Sequence, residues 1–395
     1  MDNITHSLVG VVLSRTVVKE NSRPEFERAA LWAAVLGSNL PDLDFLLRPF
    51  VGGGNLGYLL HHRGYTHTVL ASIPLGILAG FFGIKIAGLK KLNHFSLYAL
   101  GVISVLFHML ADYCNNYGVH PFSPILQKWF YGDFIFIVEP LILFALIPYA
   151  FFKIQSSVSK ALLLLIGLGL SVLVWMGPFV SKSVAVWISI WAVISFLIQK
   201  KFRSVAVPIA ALVCILSLFW IGSTEVKKQV SSLWDDHAGH STIQQFATTP
   251  APSNPFCWSI QVLSFENADY VARVGYFSFV PHLFSPETCY FQGRMKNLTP
   301  LKPVQSLSPL KGLHWVGEYR RPHQDFFELS KKYCQFRAFI RFSRIPVWYS
   351  YKQQLYVEDL RYDQGGMNSF ARFRLGDDQE CLNHIPEWSP PAAQD

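Results

Sequence analysis

The residues of this chain that could do chemistry are histidines and aspartates, set at short spacings in an otherwise apolar first half. His6 stands near the start. Asp42 and Asp44 follow a helix-ending proline in Asn39-Leu40-Pro41-Asp42-Leu43-Asp44. His61-His62-Arg63-Gly64-Tyr65-Thr66-His67 leads into a long apolar run, and His108 and Asp112 lie four apart on the next one. A four-residue spacing puts both side chains on one face of a helix, so the pair can meet one ion. Imidazole mixed with carboxylate suits a divalent transition metal, Zn²⁺ first and Mn²⁺ or Fe²⁺ next, better than Mg²⁺ or Ca²⁺. Seven candidate ligands, His6, Asp42, Asp44, His62, His67, His108 and Asp112, are too many for one tetrahedral site. They predict more than one ion and a metal-activated water attacking a phosphorus or acyl centre. Arg63 is expected to hold a phosphate oxygen and Asp133 to serve as a second catalytic group, with Glu139 a weaker candidate.

Each string has an ordinary explanation by itself. Pro-Asp-x-Asp is a common turn and cap string. His61-His62-Arg63 would anchor a helix at the interface, and His108 and Asp112 could simply pair. Their convergence is what favours a metal site, because ionisable groups beside spanning helices are costly and default to function. No His-Glu-x-x-His string occurs, which argues against an intramembrane metalloprotease. The alternative is a non-enzymatic membrane protein with a structural or regulatory His–Asp network and a β interaction module.

The elements that must position these residues follow from composition. Only 15% of the 395 residues are charged and 51% are hydrophobic, against about 25% charged in an ordinary soluble domain. Apolar blocks at 66–84, 95–113, 134–152, 161–180, 184–199 and 205–222 are each read as a membrane helix, with shorter apolar segments at 4–18 and 29–47. Lysines and arginines crowd alternate gaps: Arg15 to Arg28, Lys85 to Lys91, Lys153 and Lys160, and Lys200 to Arg203. The other gaps hold only Arg48, Arg63, Lys128 and Lys182. The crowded side should be cytoplasmic. The His/Asp strings and the chain after Gly222 then face away from the cytoplasm. The net charge of +8 is thus mainly an orientation signal rather than a nucleic-acid footprint. A site at the lipid–water boundary suggests a membrane lipid or lipid-linked substrate.

The predicted fold is a polytopic α-helical membrane domain over 1–222, a linker over 223–255, and a mainly β, antiparallel soluble domain over 256–395. Period-two alternation marks strands at 258–262, 270–277, 336–342 and 369–375, and a helix is expected around Leu329 to Tyr333. Glu225 to Asp236 reads as a polar helix within the connection, the Thr, Pro, Gln and Ser of 242–255 read as linker, and Asp235 to His240 reads as solvated linker rather than a metal-binding string. Arg337, Arg341 and Arg344 read as a solvated strand face. Cys257, Cys289, Cys334 and Cys381 could pair in three ways or stay as thiols.

These strings also carry a family likeness. Asn3-Ile4-Thr5-His6, Leu40 to Asp44, His62 to His67 and His108-Met109-Leu110-Ala111-Asp112 resemble, in order and spacing over about residues 1–180, the motif series of the YdjM family. Tyr117-Gly118 with Pro121-Phe122-Ser123, and Phe136 to Pro140, are similar to later motifs, with Glu139 where the family usually has Asp. Pro252 to Trp258 resembles the start of the C-terminal region in longer members. The resemblance implies a bacterial inner-membrane, metal-dependent hydrolase, in some members under SOS (LexA) control, and leaves the substrate unassigned.

Overall fold

The computed structural model describes all residues except 91–93, 178–179, 236–240, 290–299, 305–308, 364–368, 377–380 and 394–395. Most of the string from Asp235 to His240 therefore lies outside the described residues. The first half is helical: α1 (Asn3–Ser14), α2 (Pro24–Gly37), a 3₁₀ segment (Leu40–Leu47), short α3 (Arg48–Val51) and α4 (Gly54–His61), then α5 (Val69–Ala87), α6 (Phe95–Tyr113), α7 (Pro140–Lys153), α8 (Ser157–Met176), α9 (Lys182–Phe202) and α10 (Ala206–Asp235). Among the described residues, five helices (α5, α6, α8, α9 and α10) are long and apolar enough to cross a membrane.

The expected span at 134–152 is instead the 14-residue α7. Pro140 fixes its first turn, and the residue before a proline is held out of helical geometry. Nearly all of α7 is buried among neighbouring helices, so its length is not set by the thickness of a lipid core. The segment at 29–47 breaks at Gly37, and its second part is the 3₁₀ turn that carries Asp42 and Asp44.

The first bundle is tight because small residues meet at its crossings. A Cβ at Gly101 of α6 would lie 2.1 Å from the Gly76 carbonyl oxygen of α5. Only glycine allows two helix backbones to approach this closely, as membrane helix contacts often require. The start of α5 is fixed by Thr68, whose hydroxyl accepts from the Ala71 amide at 2.9 Å, and by the Val69 amide donating to the Pro121 carbonyl at 2.8 Å. His67 and the C-terminal turns of α6 are thereby held at one end of the bundle.

Apart from 236–240, which lie outside the described residues, the segment expected as a linker is helix and strand. Residues 223–235 extend the 30-residue α10, and β1 (Ser241–Ala251) opens an antiparallel sheet with β2 (Asn254–Glu266), β3 (Asp269–Ser278) and β4 (Leu313–Pro322), in the order β1-β2-β3-β4. Pro250 is tolerated because β1 is an edge strand, where a missing N–H breaks no ladder. Short α11 (Pro286–Cys289) follows β3. After β4 come α12 (His323–Lys332) and α13 (Cys334–Phe339), then a second antiparallel sheet, β5 (Pro346–Tyr351), β6 (Gln354–Asp359) and β7 (Arg372–Leu375). The strand expected at 336–342 is α13 and the turn after it. The cysteines pair as Cys257–Cys289 and Cys334–Cys381, while Cys114 and Cys214 remain thiols.

The β region packs on the loop between α6 and α7. The Trp129 indole donates to the Arg341 carbonyl at 2.7 Å, Arg361 donates to the Asn116 carbonyl, and Arg344 pairs with Asp133. This is the same end of the bundle as His67 and Asp112.

Candidate metal centre

Four of the expected ligands converge. Asp42, His67, His108 and Asp112 each offer an atom within 4.8 Å of the others. His67 Nε2 lies 3.0 Å from His108 Nε2. Asp112 Oδ2 is 3.2 Å from His67 Nε2 and 3.4 Å from His108 Nε2, and Asp42 Oδ1 is 3.5 Å from both. Two ligands about 2.1 Å from one ion at a tetrahedral angle stand about 3.4 Å apart, so these separations fit a shared cation.

The surrounding hydrogen bonds set the tautomers. His108 Nδ1 lies 2.7 Å from the Ser38 carbonyl oxygen, which can only accept, so Nδ1 carries the proton. His67 Nδ1 is 3.0 Å from the Thr66 hydroxyl, which itself donates to Asp44 Oδ2 at 3.3 Å and so accepts from the ring. When both rings are neutral, each turns an Nε2 lone pair inward, the arrangement that second-shell partners impose on metal-binding histidines. Two lone pairs facing at 3.0 Å repel unless a metal ion or a shared proton lies between them. The centre is buried, and Asp42, whose side chain is 15% exposed, is its most accessible member.

His6 stacks on His108 with ring centroids 3.9 Å apart, and its Nε2 lies 3.3 Å from Asp112 Oδ1. That buried nitrogen has no hydrogen-bond partner of good geometry, so His6 stands as a fifth group at the edge of the cluster. Asn3 donates to Asp42 Oδ2 at 2.9 Å.

Asp44 and His62 do not join the four. Asp44 Oδ1 is 2.9 Å from His62 Nδ1, and Oδ2 accepts the Arg63 amide at 2.8 Å. Burial pushes the Asp44 carboxyl up, but the His62 imidazole, then His67 and the Arg63 amide, outweigh it and hold it below the usual carboxylate range. Its place is behind the centre, fixing the turn from His62 to His67. Arg63, with a left-handed φ of 61°, sends its guanidinium to Asp112 Oδ1 at 2.9 Å and Asn115 Oδ1 at 3.1 Å. Its Nε has no acceptor.

Two expectations are corrected. Asp133 is engaged elsewhere: its carboxylate accepts from Arg344 Nη1 at 2.8 and 2.9 Å and Lys227 Nζ at 2.8 Å. Burial alone would raise this carboxyl, but the two cations outweigh it and keep it low. Asp133 thus ties α10 and the β region to the bundle and does not face the cluster. Glu139 accepts from Ser253 Oγ at 2.7 Å, the Ser253 amide and the Leu141 amide, capping α7 against the β1–β2 turn. Sequence reasoning missed Asn115, the Ser38 carbonyl, Lys227 and Arg344. Only Asn115, three residues from Asp112, carried a local signal.

Fold and site together define a helical membrane protein with a buried His/Asp cluster beneath an antiparallel β region. The model of the family described as "YdjM inner membrane protein" matches residues 1–182, so this part of the chain is similar to that family. Over 145 residues the chain is 26% identical to "Uncharacterized protein YfhP" of Bacillus subtilis (strain 168), covering 36% of this chain and 43% of that protein. The match thus takes in less than half the length of that relative. No solved structure matches the chain.

Proposed function

We propose that this chain is a membrane-embedded, metal-dependent hydrolase that cleaves a phosphoester-like bond of a lipid or lipid-linked substrate at the extracytoplasmic boundary of the bacterial inner membrane. The observation that carries the reading is the pair of inward Nε2 atoms of His67 and His108, 3.0 Å apart between two carboxylates. Asp42, His67, His108 and Asp112 would hold the first ion, with His6 beside them. A second ion would require His62 and Asp44 to give up the hydrogen bond between them. The mixed donors favour Zn, with Mn or Fe as alternatives. Bound there, such an ion lowers the pKa of a coordinated water and polarises a phosphoryl oxygen.

The protein's own groups set the rest. Ser38 and Thr66 fix the two imidazole tautomers, and Asp44 holds the turn. Arg63 places a buried positive charge against Asp112, with its Nε–H directed to substrate oxygen. Asp42, on the accessible side, lies where substrate meets the centre. Two features support an extracytoplasmic site. The basic gaps lie at the opposite end, and the β region that shares the site's end carries two disulfides, which persist in oxidising compartments.

The test is turnover by the purified full chain. Release of a headgroup or phosphate from phospholipid, lipid phosphate or a generic phosphodiester is expected with added Zn or Mn, and is lost in Asp42→Asn. A metal-loaded chain that turns over none of these returns the cluster to the structural or regulatory reading.

A further inference from the structure

The β region reaches the candidate centre through its last residues. After Cys381, which the disulfide to Cys334 anchors at the start of α13, the chain crosses the loops of the first half. Leu382 and Asn383 lie against Gly53 and Gly52. Trp388, 1% exposed, stacks on His120 with centroids 4.1 Å apart and meets Trp129 edge-on at 5.4 Å. Its backbone is held on both sides: Arg341 Nη1 donates to the Trp388 carbonyl at 2.6 Å, and the Ser389 amide donates to the Gln127 carbonyl at 2.7 Å.

The indole fixed in this way lies on Gly64. A Cβ at Gly64 would sit 2.6 Å from two of its ring carbons. Gly64 follows Arg63 within the turn that supplies His62, Arg63 and His67. That turn has no regular secondary structure between α4 and α5, so its position depends on what presses it. Asp44 grips it from the side of the cluster through the Arg63 amide, His62 and Thr66. Trp388 closes it from the other side.

We propose that Trp388 is a positioning residue for the metal centre: the C-terminal tail clamps the His62–His67 turn against Asp44, and this is what the β region contributes to the site. The consequence for metal binding rests on the hydrolase reading above, whereas the clamping itself does not. The carbons that meet Gly64 are Cζ2 and Cη2 at the far edge of the indole, so phenylalanine, whose shorter ring still stacks on His120, should serve only in part where alanine does not serve at all.

The experiment compares the full chain with Trp388→Ala and Trp388→Phe, following amide hydrogen exchange across 61–67 and zinc affinity of the chelator-stripped protein. Trp388→Ala is expected to speed exchange in 61–67, where the Arg63, Gly64 and His67 amides are hydrogen-bonded. Exchange in α5 and α6 should stay at the wild-type rate. Zinc affinity should fall about 10- to 100-fold, as loss of outer-shell support does, and Trp388→Phe should fall between alanine and wild type in both. Unchanged exchange at 61–67 in Trp388→Ala overturns the proposal whatever the metal result. Faster exchange in a protein whose wild type binds no Zn, Mn or Fe leaves the clamp standing and removes the hydrolase reading instead. If Trp388→Ala does not fold, Gly64→Ala, which crowds the same contact from the turn, is read in the same assay. Wild-type exchange and affinity there would equally overturn the proposal.

Discussion

Replacing Asp133 by alanine separates architecture from chemistry in this protein. Its carboxylate is 1% exposed and is shared by Arg344, itself 8% exposed, and Lys227, 31% exposed. Lys227 can turn toward water when the carboxylate is gone, but Arg344 cannot. Removing one partner of a buried pair costs about 3–5 kcal/mol, because the other charge stays buried and unpaired. The Gln245 and Phe246 oxygens that Arg344 also reaches place the loss nearer the lower end, about 3 kcal/mol, or a fall in thermal midpoint of about 4 °C. Removing Arg344 as well should recover part of it. Acid should act alike. The Asp133 carboxyl is lower in the folded protein than unfolded, so its stabilisation is present above the unfolded value, near pH ~4, and fades as pH falls through the lower folded value. The assay is thermal unfolding of the detergent-solubilised chain at neutral and acidic pH, with metal content measured on the same samples. An Asp133→Ala protein of unchanged midpoint but lost turnover would refute this reasoning and restore the carboxylate to catalysis.

Two further outcomes follow from the packing and the disulfides. Gly101→Ala puts a methyl into the Gly76 backbone and should destabilise the bundle by about 1–3 kcal/mol, lowering zinc affinity with it because α5 and α6 carry the ligands; a midpoint equal to wild type would contradict the close crossing. Cys257, Cys289, Cys334 and Cys381 should resist thiol alkylation in cells until reduced, and a reporter fused after Asp235 should read extracytoplasmic; free thiols and a cytoplasmic signal together would invert the topology.

The candidate site was legible because an apolar first half leaves so few ionisable residues that their grouping is conspicuous. His67, His108, Asp42 and Asp112 each sat in a recognisable string. The two roles inside that grouping were not separable, since Asp42 and Asp44 differ only in which way a 3₁₀ turn aims them. Asp133 was misread because its partner Arg344 is 211 residues away, and Arg344 looked like a solvated strand residue for the same reason. The strand expected at 336–342 failed where short apolar runs usually fail: Phe336, Ala338 and Phe339 fill a helix face as well as a strand face. The supposed linker failed because Thr, Gln and Pro also suit an edge strand. Trp388 left no pattern at all, as its role depends on a glycine more than three hundred residues earlier.

The central claim is tested most directly by counting metal in the purified full chain prepared without chelators. At least one Zn, Mn or Fe per chain is expected, falling to background in His108→Ala/Asp112→Ala while α-helical content is retained. A folded wild-type chain that holds no transition metal and takes up none on titration would contradict it.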